Sequence, residues 1–305
     1  MSIRGTASRQ FHSMPISVSS RRAPSSAATS DPSPLDAIRQ QTSKIEDALD
    51  RVSGPIKPYL PAIGRFLIVA TFIEDAIRIV SQWNDQVFYL HSYRGIPRFL
   101  TSIFLFVNVT AMIIGSGLVI VRKHSVYAVG ALLAVVVSQA IGYGLIFELN
   151  FFLRNLSVIG GLLMVLSDSF VRRKIAFAGL PTIDEKDKQM YFQLAGRVLL
   201  IFLFLGFILS GDWSFARIFV SFIGFIACVM VVVGFKAKLS AMLLVVILSI
   251  FNILINHYWT YSSSHPNRDF LKYEHFQTLS IVGGLLLVVN TGAGKISIDE
   301  KKKIY

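Results

Sequence analysis

The sequence predicts an all-α polytopic membrane protein with about eight transmembrane helices, arranged as two parallel four-helix repeats. The first observation behind this prediction is composition, since 53% of the 305 residues are hydrophobic and only 16% are charged. The second is a series of apolar runs, most of them near the roughly 20 residues that a helix needs to cross the hydrocarbon of a bilayer. The third is an internal duplication, which can decide a fold.

The predicted spans begin after residue 58 and are separated by short polar or Gly- and Pro-containing turns. They lie near residues 59–81, 99–121, 126–147, 156–171, 191–209, 215–234, 238–258 and 276–291. Lys and Arg are concentrated in the turns after the even-numbered spans and in the two ends of the chain. Because basic residues favour the cytosolic side of a membrane, we expect both termini to face the cytosol.

The duplication is carried by two pairs of similar segments that occur in the same order in each half. The pairs are "NLSVIGGLLMV" at 155–165 with "TLSIVGGLLLV" at 278–288, and "GRFLI" at 64–68 with "GRVLLI" at 196–201. An even number of spans in each half makes the repeats parallel, at 58–175 and 176–294. The paired glycines in these segments predict a close approach between helix backbones.

The amino-terminal region falls into two parts. Residues 1–34 are rich in Ser, Arg and Pro and have no acidic residue before Asp31, which predicts a disordered cytosolic tail. A mitochondrial transit peptide has a similar composition and is the alternative. Residues 35–57 carry an apolar stripe at helical spacing, which predicts an amphipathic cytosolic helix on the membrane surface or on the bundle.

The carboxyl-terminal tail, 295–305, ends in "EKKKIY", which places Lys302 and Lys303 at the fourth and third positions from the carboxyl terminus. This pattern is typical of the dilysine signal by which the COPI coat returns membrane proteins to the endoplasmic reticulum. A basic patch on anionic lipid is the alternative. The predicted cytosolic position of the tail favours the retrieval signal.

Polar side chains of the predicted spans concentrate in the lumenal halves. The candidate binding residues are Glu74, Asp75, Arg78, Glu148, Asn155, Asn252 and Asn256. Exposing an ionisable group to lipid costs at least ~2.5 kcal/mol, so such groups usually face the interior of a bundle or a wet cavity. The clustering predicts a partly acidic cavity open to the lumen, in which one carboxylate binds a cationic group of the ligand.

Structural roles for the same residues remain open. Glu74 and Arg78 have the spacing of a helix ion pair, with Asp75 capping a neighbouring group, and Asn252 and Asn256 can join helices. The predicted lumenal loop at 260–276 is either a lid or a solvated connector.

The cytosolic halves of the spans are nearly plain hydrocarbon apart from Arg65, Arg197 and a few hydroxyl groups. The two arginines are expected to extend to the lipid headgroups.

Several classes of function have no support in the sequence. It contains no phosphate-binding loop, nucleophile elbow or metal-ligand motif, and the single cysteine, Cys228, cannot form an intramolecular disulfide. We therefore expect no enzymatic activity, no cofactor and no metal. The basic net charge of +12 is explained by membrane topology, so nucleic acid is not expected as a partner.

From about residue 45 to the end, the chain resembles the surfeit locus protein four family of the early secretory pathway. The stretches that carry the resemblance are "YLPAIGRFLIVATFIEDAIR", "FFLRNLSVIGGLLMVLSDS", "FAGLPTI", "AGRVLL", "GFKAKLSAMLLVV", "NRDFLKYEHFQTLSIVGGLLLVV" and "DEKKKIY". The resemblance implies a receptor that binds soluble secretory proteins in the lumen of the endoplasmic reticulum and packages them into COPII vesicles. It would cycle to the cis-Golgi and return through Lys302 and Lys303.

Two other classes stay open. A membrane transporter or lipid-handling protein would use the same polar cluster as a pathway, although polar residues that stop midway through the spans favour a one-sided pocket. Each half also resembles DoxX-like membrane proteins, but an oxidoreductase of that type would need a cofactor motif, and the sequence has none.

Overall fold

The computed structural model describes residues 57–176, 183–202, 215–262, 265–292, 294 and 296–298. Within these ranges the protein contains helices and no strand, which confirms the all-α prediction. The helices are α1 (Leu60–Ser81), α2 (Trp83–Ser92), α3 (Arg98–Val121), α4 (Ser125–Tyr143), α5 (Leu149–Ala176), α6 (Ile183–Leu200), α7 (Phe215–Val233), α8 (Ala237–Ile255) and α9 (Pro266–Thr291). Short 3-10 turns follow α4 at Leu145–Phe147 and α8 at Tyr258–Thr260.

Four segments of the described chain are long and apolar enough to cross a membrane, which supports a multi-pass membrane protein. They are Arg98–Val121, Ser125–Tyr143, Leu149–Phe170 and Ala237–Thr260, with mean hydropathies of 1.7 to 2.4. Helix α1 is also 22 residues long but carries four ionisable side chains, which lower its apolar character. The count of eight spans therefore stays a prediction.

Large apolar side chains on the outside of the bundle indicate the surrounding solvent. On α3, Phe106 and Ile113 are 65% and 56% exposed, and on α7 Phe222 is 63% exposed. Contiguous apolar surface of this kind is unusual on a protein in water. Hydrocarbon accommodates it without cost, so these faces are the lipid-facing surface of the bundle.

Helix boundaries differ from the sequence prediction at several places, since α5 begins at Leu149 rather than near 156 and α6 begins at Ile183 rather than near 191. Helix α2 was not predicted, because its ten residues include five polar ones and give no hydropathy signal. The segment at 260–276 was predicted as a loop, but α9 begins at Pro266. Proline suits the first turn of a helix because its missing N–H would have no partner there, and this start leaves only a short connector after α8.

Helix α1 packs most extensively against α9, and α5 packs against α6 and α9. Glycines make both close approaches possible. A Cβ atom added to Gly64 would lie 2.9 Å from the carbonyl oxygen of Gly283, and one added to Gly160 would lie 2.8 Å from that of Gly196. These contacts confirm the interpretation of the paired glycines as sites of close helix packing.

Arg65 and Arg197 do not extend to the headgroups, contrary to the expectation from their positions. Arg65 donates from Nη2 to Asp168 Oδ2 at 2.7 Å, and both side chains are 5% exposed. Arg197 is 1% exposed and donates to the carbonyl oxygen of Ile296 at 2.9 Å. This end of the bundle is therefore not plain hydrocarbon, because it contains a buried ion pair that hydropathy alone does not indicate.

Three predicted segments lie wholly or mostly outside the described residues. The first is the tail at 1–34, and the second is the amphipathic helix at 35–57, of which only residue 57 is described. The third is the end of the chain with Lys302 and Lys303. These predictions stay predictions.

Candidate functional site

A cavity of about 260 Å³ opens among α1, α4, α5 and α9. It lies at the end of the bundle where α1 and α4 end and where α5 and α9 begin. Its walls are formed by Thr71, Phe72, Asp75, Arg78, Val136, Gln139, Ala140, Tyr143, Leu145, Phe151, Asn155, Val158, Asp269, Phe270, Tyr273 and Gln277. The cavity is thus a mixed apolar and polar site shared by four helices.

Asp75 is the buried one of the two acidic residues that line the cavity. One of its carboxylate oxygens pairs with Arg78 one turn further along α1, and the other accepts a hydrogen bond from Gln139 Nε2 at 2.7 Å. The Arg78 guanidinium also lies 5.7 Å from the centre of the Tyr273 ring, within the range of a cation–π interaction. The alternative of a Glu74–Arg78 pair was wrong, since Arg78 pairs with Asp75.

Glu74 points away from the cavity and is not among its lining residues. Its side chain is 4% exposed and pairs with Lys272 on α9, with Nζ 3.2 Å from Oε1. A second ion pair joins Arg154 on α5 to Glu274 on α9 at 2.6 Å. These two pairs fix the first half of α9 against α1 and α5, although the oxygens of Glu74 have no hydrogen-bond partner within the described residues beyond the ion-pair contact with Lys272.

Asn155 and Glu148 have different positions although they are close in sequence. Asn155 lines the cavity from α5, as predicted. Glu148 is exposed in the turn between α4 and α5 and does not line the cavity. The reason is that α4 ends at Tyr143, four residues before the predicted end of the span at 147, and its cap Gly144 has a positive φ of 73° that turns the chain away.

Asn252 and Asn256 are buried on α8 and do not line the cavity. Asn256 Nδ2 donates to Asn252 Oδ1 at 2.9 Å, and Asn252 Nδ2 donates to the backbone carbonyl of His275 at 3.2 Å. The bond to His275 joins α8 to α9, and the bond between the two amides holds Asn256 beside Asn252, which supports a packing role for both asparagines.

Several residues of the cavity were not predicted from the sequence. Gln277 was visible as a polar residue at the start of an apolar run but was not assigned to the site. Tyr273 and Phe270 were not assigned to the site individually, because they fall in the segment 260–276, which was predicted as a loop that is either a lid or a connector. The ring of Phe151 lies 6.4 Å from that of Phe270 and 6.0 Å from that of Tyr273, so these aromatic side chains form one wall of the cavity.

The chemistry available to the site is binding. No group of His, Cys, Asp or Glu side chains in the described ranges could hold a metal ion. The Asp75 carboxylate is paired with Arg78. The remaining walls of the cavity combine apolar side chains with amide and hydroxyl groups. This combination suits the recognition of a small polar group that carries apolar neighbours.

Comparisons with known proteins agree on one family. Residues 39–305 match the model of the SURF4 family. The chain is 55% identical over 255 residues to a Surfeit locus protein 4 homolog of Schizosaccharomyces pombe, which covers 83% of this chain and 84% of that protein. It is 47% identical over 266 residues to the ER-derived vesicles protein ERV29 of Saccharomyces cerevisiae, which covers 86% of this chain and 84% of that protein.

A third relative is more distant. A Surfeit locus protein 4 homolog of Drosophila melanogaster is 41% identical over 261 residues, which cover 86% of this chain and 96% of that protein. No solved structure matches the chain. The match to the family model covers the segments that form the cavity, and the chain belongs to the SURF4 family.

Proposed function

We propose that this protein is a cargo receptor of the early secretory pathway, which binds soluble secretory proteins in the lumen of the endoplasmic reticulum and packages them into COPII vesicles. The observation that carries the proposal is the 47% identity to an ER-derived vesicles protein. The cavity at one end of the bundle supplies a site for the ligand. No step of this function requires catalysis, a cofactor or a metal.

The shape of the cavity supports a receptor. On α1 its lining residue furthest from the open end is Thr71. Beyond Thr71 the described interior consists mainly of fully buried apolar side chains such as Ile68 and Leu162, both 0% exposed, and the Ser280 hydroxyl among them is bonded to the backbone of Ile68. An apolar layer of this kind blocks a polar path across the membrane.

A membrane transporter or lipid-handling protein is the second candidate. One observation favours it, namely the buried Arg65–Asp168 ion pair at the opposite end of the bundle. Buried charges within a span often mark a transport pathway. In the described interior, the apolar layer separates this pair from the cavity, and we therefore rank the receptor first.

The proposed architecture is eight spans in two parallel repeats, 58–175 and 176–294. Two symmetric sets of contacts support it. The first is the glycine contact between α1 and α9, which matches the one between α5 and α6. The second is a pair of hydroxyl bonds from the equivalent serines, from Ser280 to the carbonyl of Ile68 and from Ser157 to that of Leu199, both at 3.2 Å, with acceptors that are offset by one residue between the repeats.

The proposed topology places the cavity on the lumenal side and both termini in the cytosol. The tail at 1–34 and the amphipathic helix at 35–57 then face the cytosol, where the COPII coat assembles. The segment 295–305 also faces the cytosol, so that the COPI coat can read Lys302 and Lys303. The receptor would cycle between the endoplasmic reticulum and the cis-Golgi.

Filling the cavity tests the receptor proposal without changing any charge. Ala140 lines the cavity and is half-buried, so Ala140→Leu adds three heavy atoms inside a volume of about 260 Å³. We expect a set of soluble secretory proteins to accumulate in the endoplasmic reticulum. The measurement is quantitative proteomics of secreted and retained proteins in cells that carry the variant as their only copy.

The matched control is Ala134→Leu, because Ala134 lies on the same helix, is exposed and does not line the cavity. Both variants must accumulate to the wild-type level. Normal secretion in the Ala140→Leu cells would contradict the proposal.

The retrieval signal has its own test. Replacing Lys302 and Lys303 together by serine removes both ammonium groups, and we expect the receptor to move from the endoplasmic reticulum to later compartments. Fluorescence microscopy of the tagged receptor measures the shift. Lys295→Ser with Lys301→Ser is the control for basic charge alone, since a lipid-binding patch would respond equally to either pair.

A further inference from the structure

Most of the hydrogen-bonding capacity that remains free in the cavity is uncharged, the exception being Nε of Arg78, which has no hydrogen-bond partner within the described residues. Asp75 already accepts from Arg78 and Gln139, and Asp269 at the cavity mouth accepts from Gln82 Nε2 at 2.7 Å. The carboxylates are thus engaged before a ligand arrives. A cationic ligand would have to compete with Arg78, which is held on the same helix.

Three other polar side chains of the cavity keep free groups. Thr71 on α1 and Asn155 on α5 make no hydrogen bond to the described part of the chain through their side chains. Gln277 on α9 donates from Nε2 to the Tyr273 hydroxyl, but Oε1 has no partner within the described residues. Gln277 is 3% exposed, and an unpaired polar atom at such a position is unfavourable until a ligand supplies a donor.

These groups form a matching set on three different helices. Asn155 offers a donor and an acceptor, Thr71 offers a hydroxyl, and Gln277 offers a carbonyl oxygen. A peptide or side-chain amide carries one N–H side and one C=O side and can satisfy donors and acceptors together. Apolar walls from Phe72 and Val158 suit the aliphatic groups that flank such an amide.

We propose that the cavity recognises an uncharged amide of the cargo through Thr71, Asn155 and Gln277, and that Asp75 and Arg78 maintain the shape of the cavity rather than bind cargo. The inference rests on the proposed receptor function. The volume of about 260 Å³ is slightly below the roughly 300–1,000 Å³ of typical ligand pockets. The ligand is therefore a short segment of the cargo, which enters with its amide among the three side chains.

The test compares two variants that remove different groups at nearly constant shape. Thr71→Val with Asn155→Leu removes uncharged hydrogen-bonding groups, whereas Asp75→Asn with Arg78→Gln removes the paired charges and keeps hydrogen-bonding capacity. The readout is the secreted fraction of the proteins retained by Ala140→Leu cells. One uncharged hydrogen bond contributes roughly two- to ten-fold in affinity. We therefore expect the secreted fraction of these proteins to fall about five-fold or more in cells with Thr71→Val and Asn155→Leu.

We expect secretion to fall more with Thr71→Val and Asn155→Leu than with Asp75→Asn and Arg78→Gln, which is the charge-neutral variant. The reverse order would overturn the inference and leave the receptor function in place. If Ala140→Leu itself left secretion normal, the receptor function would fail first, and the inference would fail with it. If the variant with Asp75→Asn and Arg78→Gln does not accumulate, Asp269→Asn takes its place in the comparison, because Asp269 lies at an exposed position of the cavity.

Discussion

Replacing Gly283 by alanine is expected to destabilise the protein severely, because α1 and α9 touch at this point through their backbones. A Cβ atom at Gly283 would lie 2.5 Å from the carbonyl oxygen of Gly64 and 3.0 Å from the backbone nitrogen of Ile68. Backbone atoms cannot move aside as a flexible side chain can. We expect a cost at or above the upper end of the roughly 1–3 kcal/mol that overpacking causes.

Thermal unfolding of the purified protein in detergent measures this effect as a fall in the midpoint temperature. The matched controls are Gly117→Ala and Gly130→Ala, where an added Cβ atom meets nothing within 4 Å. Alanine favours a helix by roughly 0.5–1 kcal/mol over glycine, so these controls are expected to be neutral or slightly stabilised. An unchanged midpoint for Gly283→Ala would show that the contact between α1 and α9 is looser than described.

Removing one partner of the Arg65–Asp168 ion pair is the second change with a large expected effect. Both side chains are 5% exposed, and Nη2 of Arg65 lies 2.7 Å from Oδ2 of Asp168. Arg65→Met leaves the Asp168 carboxylate buried without this cation. Breaking a buried pair from one side typically costs about 3–5 kcal/mol, so we expect a lower unfolding midpoint and reduced accumulation in cells.

The double variant Arg65→Met with Asp168→Leu is the informative control. Replacing both charges by apolar groups of similar volume is often neutral, and we expect the double variant to recover most of the loss. A double-mutant cycle on unfolding midpoints measures the coupling. Additive losses would mean that the two side chains do not stabilise each other.

Membrane character, helix positions and the paired glycines could be predicted from the sequence because each depends on local composition or on repeated segments. The apolar run at 99–121 gives α3 almost residue for residue. The prediction was weaker at α2 and at the start of α9, where polar residues form helices on the surface of the bundle. Hydropathy has no signal for such helices, and only their packing against neighbours defines them.

The candidate site was predicted in part. Asp75, Arg78 and Asn155 were placed in one cavity, and the structure brings them together. Glu148, Asn252 and Asn256 do not line it, although they occur near the same ends of their spans. Depth along a helix can be read from position in a span, but the direction in which a side chain points depends on helix rotation, which only packing sets.

The sequence could not predict which charged side chains pair, because pairing also depends on how the helices are rotated when they pack. Spacing on one helix suggested Glu74 with Arg78, yet Arg78 pairs with Asp75 and Glu74 pairs with Lys272 of α9. The sequence by itself determined that the chain is a helical membrane protein with polar groups toward one end of its spans. The tertiary structure decided which of those groups are neutralised and which stay free, because partners from distant helices meet only when the bundle packs.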